Sequence, residues 1–166
     1  VLRWAHGHDG PVYVRIAREP VPAIFDTDHV FRPGRVDVVR EGSDVTLVAN
    51  GIVLHRTLAA AEALAAEGVE ARVLAAASVK PLDDAAILAA ARETGAIVTV
   101  EEGYAAGGLG GAVSELVARE ASAPVRVLGF GDAFAATGSV DWLLAQAGLT
   151  PAGIAAAARD LLRVAA

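Results

Sequence analysis

Val36-Asp37-Val38-Val39-Arg40, then Glu41-Gly42-Ser43-Asp44, then Val45-Thr46-Leu47-Val48-Ala49 follow one another over residues 36–49, and their order decides the fold class. The two outer runs are β-branched and apolar, so each predicts a strand; the middle run is turn chemistry. A connection of hairpin length makes one strand pairing antiparallel. Everything downstream alternates. Ile52–Glu67 predicts a helix with Leu54, Leu58, Ala61, Leu64 and Ala65 on one face, ended by Gly68. Ala71–Ala75 predicts a strand, Pro81 and Asp83 punctuate the start of helix Asp84–Thr94, and Gly95 stops it. Ile97–Val100 reads as a buried strand, Leu109–Ala121 as a helix opening from a glycine cluster, and Val125–Gly129 as the last strand. Helices Val140–Ala147 and Pro151–Val164 close the chain, with Thr150 as cap and Pro151 at the first helical position. Strands and helices joined by short connections imply a mainly parallel sheet covered on both faces. The expectation is an α/β protein, a three-layer α/β/α sandwich with one antiparallel edge strand.

Upstream the pattern changes. Val12–Ile16 reads as a strand after Gly10-Pro11, whereas Glu19–Arg35 has no periodicity and contains Pro20, Pro22 and Pro33. A connector of that length is unusual inside a compact domain, so it is the best domain boundary. The expected division is residues 1–18, the end of one domain; 19–35, a linker; and 36–166, a second domain. The chain opens at Val1 in mid-pattern, as a fragment or processed product does, and no signal or transit sequence is read in it.

Composition narrows the function classes. Hydrophobic residues make up 54% and mean hydropathy is +0.46, but much of this is alanine, and no apolar run reaches the roughly 18 residues of a membrane helix. A net charge of −6 with scattered basic residues, and only 5% aromatics, argues against nucleic acid. The absence of cysteine excludes disulfides and thiolate chemistry and fits a cytoplasmic protein.

Few residue groups carry chemistry. Gly107-Gly108-Leu109-Gly110-Gly111 invites a phosphate-binding reading, because backbone amides at a helix start attract anions. Yet Val113 stands where the dinucleotide fingerprint takes glycine or alanine, no acidic residue follows at the right distance, and no Gly-Lys-Ser/Thr occurs. Close packing of a helix on a sheet or a partner accounts better for these glycines. Glu101 and Glu102 sit at a strand's carboxyl end, but neighbours on a strand point to opposite faces and make a poor catalytic pair. One is expected at a helix dipole or interface and the other in solvent. His6, His8 and Asp9 have metal-like letters without a second ligand cluster and read as surface residues; His55 reads as a helix-surface or packing residue. The serines lack a hydrolase nucleophile context. Arg15 and Arg18 follow an apolar run and enter the connector. Their forks suit either phosphate recognition or a salt bridge holding the linker to its neighbour.

Taken in order, these segments resemble the transketolase family. Gly10-Pro11-Val12-Tyr13-Val14-Arg15-Ile16-Ala17-Arg18 resembles the closing strand of its pyrimidine-binding domain, and Glu41–Gly51 the first hairpin of its carboxy-terminal domain. Glu67–Val73, Lys80-Pro81-Leu82-Asp83, Val100-Glu101-Glu102, Gly107–Gly110, Thr137-Gly138-Ser139, Leu143-Leu144 and Gly148-Leu149-Thr150 continue the match. The resemblance implies a mixed five-stranded sheet and part of a transferase that moves a two-carbon ketol unit between sugar phosphates, in pentose-phosphate chemistry. It implies thiamine diphosphate and Mg2+ in the complete enzyme, bound by other domains and not by this chain, whose isolated form is then inactive. It implies as partner an amino-terminal thiamine-diphosphate-binding domain or subunit, in a homodimer or heteromer, with neither nucleic acid nor membrane. Carried over residue by residue, Arg18 matches the arginine that grips the sugar phosphate, and Arg15 a neighbouring arginine of split transketolases and deoxyxylulose-phosphate synthases. Gly103 stands where transketolases often have histidine, and resembles instead deoxyxylulose-phosphate synthases or the beta subunits of 2-oxo acid dehydrogenases. Those two, and a non-catalytic docking module, are the alternatives.

Overall fold

The computed structural model describes residues 1–165; Ala166, the last residue of the expected 36–166 domain, lies outside the described residues. After a short helix α1 (Leu2–Gly7), no helix or strand occurs until β1 (Asp37–Arg40). Then follow β2 (Val45–Asn50), a 3-10 turn (Gly51–Val53), α2 (Leu54–Ala66), β3 (Ala71–Ala75), α3 (Asp84–Thr94), β4 (Ile97–Tyr104), α4 (Leu109–Glu120), β5 (Val125–Phe130), α5 (Val140–Gln146) and α6 (Pro151–Ala165).

Period-two alternation builds the three layers. Val45, Leu47, Ala49, Val73, Val98 and Val100 point to one face of the sheet and pack with α2, α5 and α6 through Leu64, Leu144 and Ile154. Val48, Leu74 and Ile97 point to the other face and meet α3 and α4 through Ile87, Leu109 and Val113. The central strands are apolar on both sides because both sides are covered. Punctuation holds where it was expected. Asp83 Oδ1 accepts from the Ala86 N–H at the start of α3, Gly95 ends that helix at φ +71°, and Thr150 Oγ1 accepts from the Gly153 N–H of α6. No helix of the described residues is long and apolar enough to cross a membrane.

The sheet has five strands in the order β1-β3-β2-β4-β5, and only the β1–β3 pairing is antiparallel. The antiparallel edge strand is therefore present, but the expected hairpin is not. β3 inserts between β1 and β2, so the turn at residues 41–44 crosses over its start. Ser43 N and Asp44 N both donate to the Glu70 carbonyl, and Glu70 N donates to Asp44 Oδ2. Gly42 permits the crossing, since a Cβ there would lie 2.3 Å from the Ala71 carbonyl carbon. Turn length told only that β1 and β2 run in opposite directions; the apolar runs on β3 favoured the central position.

A second expectation fails. Val12–Ile16 forms no strand; apart from the half-buried Val14 it is exposed, and it finds no ladder partner among the described residues. β-branched residues favour extended backbone, but a strand exists only when a neighbour takes its hydrogen bonds.

Candidate functional site

The order of strands sets where a ligand can approach. From β2 the chain moves to β3 on one side, then crosses back to β4 on the other. In open α/β sheets the crevice at such a reversal, beyond the carboxyl ends of the strands, is the usual binding region. Here it lies beyond Asn50 of β2 and Glu101–Tyr104 of β4, which are adjacent in parallel register through Asn50 and Glu101.

The two glutamates divide this edge between them. Glu101 is only 7% exposed and turns toward α4. Its carboxylate accepts the Leu109 N–H at 3.0 Å and the Gly110 N–H at 2.8 Å, satisfying donors that a helix start leaves open and placing negative charge at the positive end of its dipole. The glycines make room. A Cβ on Gly108 would fall 2.1 Å from Glu101 Oε2, and one on Gly110 would fall 2.3 Å from Val127 Cγ1 of β5. The cluster thus serves close packing of a helix on the sheet, as expected, and its anion position is taken by a carboxylate of the same chain.

Glu102 points the other way and is not left to solvent as expected. Arg15 Nη1 donates to the Glu102 carbonyl, and Arg15 Nη2 lies 3.4 Å from Glu102 Oε1. That carbonyl sits where β4–β5 pairing is interrupted, between Val100 and Tyr104. Of the two readings of Arg15 left open by the sequence, a salt bridge is the one observed in this chain, and its partner lies on β4. Arg18 is exposed and forms no hydrogen bond or ion pair with the described residues. Three extended residues span about 10 Å, so Arg18 follows within that backbone distance of the residue whose side chain reaches the β4 edge.

The connector has its own anchor. Asp83, 6% exposed, accepts the Val36 N–H at Oδ2 (3.1 Å) while capping α3 through Oδ1, and Arg35 Nη1 lies 3.5 Å from Oδ1. Sequence reasoning identified Asp83 as helix punctuation and missed its hold on the connector. It likewise missed Glu102 as the partner of Arg15. The available signal was strand alternation, which sends residue 102 to the face opposite residue 101.

The histidines fall where expected or are uninformative. His6 and His8 are exposed, with His8 stacked on Trp4 at 4.8 Å, and His55 is half-buried on α2. Among the described residues no three histidine, aspartate or glutamate side chains form a metal-binding group. With Glu101 filling the start of α4, the Leu109 and Gly110 amides there are not free for a diphosphate.

Comparison with known proteins places this geometry. Residues 34–154 match the family described as transketolase, C-terminal domain. The chain is 42% identical over 154 residues to the 6-deoxy-6-sulfo-D-fructose transketolase subunit SqwH of Clostridium sp. (strain MSTE9), covering 93% of this chain and 48% of that protein. It is 43% identical over 164 residues to 1-deoxy-D-xylulose-5-phosphate synthase of Heliobacterium modesticaldum, covering 97% of this chain and 25% of that protein. A solved structure described as a split gene transketolase, inactive beta4 tetramer, superposes with a TM-score of 0.93 at 42% identity, covering 99% of this chain and 53% of that one. The chain thus spans about half, or less, of the length of these relatives. With the fold, the ordered motifs and the matched residues in agreement, the chain belongs to the transketolase carboxy-terminal domain family.

Proposed function

We propose that this chain is the carboxy-terminal part of a split transketolase, thiamine-diphosphate-dependent, that transfers a two-carbon ketol unit between sugar phosphates. In this reading residues 1–18 end the pyrimidine-binding domain, 19–35 are a linker, and 36–166 are the carboxy-terminal domain. The cofactor and its Mg2+ are held by an amino-terminal domain or subunit, with which the chain assembles as a homodimer or heteromer in the cytoplasm. The chain contributes assembly surface and a grip on the substrate phosphate, with Arg18 as the contacting residue and Arg15 beside it.

The observation that carries this reading is the anchoring of Arg15 at the carboxyl edge of β4, which leaves Arg18 nearby with its guanidinium uncommitted. A guanidinium fork without an internal partner, next to a strand-end crevice, is suited to a dianionic phosphate. Likeness to a transketolase subunit over 93% of the chain supports the same assignment.

The test uses the complete enzyme, loaded with thiamine diphosphate and Mg2+. In it this chain follows the rest of its pyrimidine-binding domain and assembles with the domain or subunit that carries the family's Gly-Asp-Gly metal and diphosphate motif. With D-xylulose 5-phosphate as donor, Arg18→Ala is expected to raise KM about 10- to 100-fold, the loss of a charged hydrogen bond to phosphate. An unchanged KM removes Arg18 from the site and favours a docking module. Absence of ketol transfer by the wild-type assembly rejects the transketolase reading. The second reading, a deoxyxylulose-phosphate synthase, is favoured by 43% identity across 97% of the chain to such an enzyme. Formation of 1-deoxy-D-xylulose 5-phosphate by the assembly would select it.

A further inference from the structure

We infer that Glu102 is a positioning residue for substrate-phosphate recognition, acting through Arg15 on the segment that carries Arg18; this deepens the reading above and rests on it. Residues 11–18 have no strand partner among the described residues and no buried side chain. Burial therefore does not hold them, and their direction has to come from a polar contact. The observed one is two-pronged. Glu102 offers Arg15 both its backbone carbonyl and its carboxylate, a pairing that fixes the guanidinium plane as well as its distance.

Glu102 can do this because Glu101 cannot turn away. Glu101 is clamped by two amides of α4 in the space that Gly108 leaves open, and strand alternation sends Glu102 to the opposite face. The interrupted pairing with β5 between Val100 and Tyr104 leaves the Glu102 carbonyl outside that ladder and able to accept. The route therefore runs from the α4 amides through Glu101 and Glu102 to Arg15 and, three residues on, to Arg18.

At the same time the carboxylate neutralises Arg15. The free positive charge offered to a phosphate is then concentrated at Arg18, and Arg15 serves as the hinge pin. With side-chain exposures of 54% for Arg15 and 28% for Glu102, the pair is partly screened by solvent. Its loss is expected to loosen the segment by a modest factor and not to unfold the domain.

The experiment is a kinetic comparison in the assembled holoenzyme, with D-xylulose 5-phosphate and unphosphorylated D-xylulose as alternative donors. Glu102→Ala is expected to raise KM for the phosphorylated donor about three- to fivefold, with kcat and the KM for D-xylulose changed less than about twofold. Glu102→Gln, which keeps the shape and an acceptor oxygen but loses the charge, should fall between. Combining Glu102→Arg with Arg15→Glu should recover part of the loss that either causes alone. A merely structural role would move both donors together, and that outcome overturns the inference. So does an unchanged KM for the phosphorylated donor. If Arg18→Ala is selective for the phosphorylated donor and Glu102→Ala is not, the positioning inference alone falls. If the wild-type assembly transfers no ketol unit, the underlying reading falls and takes this one with it.

Discussion

Residues 37–165 and residues 1–36 are ordered by opposite means. The larger region buries two apolar layers, with Leu64, Ile154, Ile87 and Leu109 wholly removed from solvent. The smaller has no buried residue at all. Ile24, Phe25 and Val36 lean on the core, Trp4 meets Phe31 edge to face at 5.9 Å, and polar contacts are made by Arg15 with Glu102, by Arg35 and the Val36 N–H with Asp83, and by His29 with Asp37. A region stabilised by area is robust and fixed in conformation. One held largely by partly solvated polar contacts is easily moved.

Substitutions can break this comparison from either side. The largest effect is expected on the buried side: Ile154→Ala empties space in the α2–α6 layer and should cost about 2–5 kcal/mol in chemical denaturation of the chain. A loss below about 1 kcal/mol would mean that the layer is less tightly packed than its burial indicates. Asp83→Ala strikes the junction, since it removes both a helix cap and the hold on Val36 and Arg35. We expect a loss of about 1–2 kcal/mol together with faster tryptic cleavage after Arg35. Loss of stability without faster cleavage would show that the connector is held by Ile24 and Phe25 instead. The smallest effect is expected from Arg15→Ala, which should leave denaturation within about 0.5 kcal/mol while exposing the segment at Arg18 to trypsin. Wild-type protection there should weaken as salt is raised. A melting transition that moves with Arg15 would make the two regions one cooperative unit.

Much of the fold could be read from residue types alone, because its determinants are local. Helix α3 begins and ends at the residues expected, since Asp83 caps it and Gly95 can take the left-handed turn. β3 likewise matches its apolar run. The pairing of β1 could not be read. Four turn residues are compatible with a hairpin or with a crossing, and only the competition among strands for central positions selects β3 as the neighbour. Val12–Ile16 shows the same limit, because strand propensity without a partner makes no sheet.

For the site, the sequence by itself determined which residues could matter: two arginines entering a connector, two glutamates ending a strand, and a glycine cluster opening a helix. It could also decide that this cluster lacks a nucleotide fingerprint. Only the tertiary structure decided how they are shared out. Glu101 goes to the α4 amides, Glu102 to Arg15, and Arg18 to no partner among the described residues. Residue types and spacing are properties of the chain, whereas partner choice for a charge depends on which groups, 87 positions apart in the case of Arg15 and Glu102, the packed sheet brings within reach.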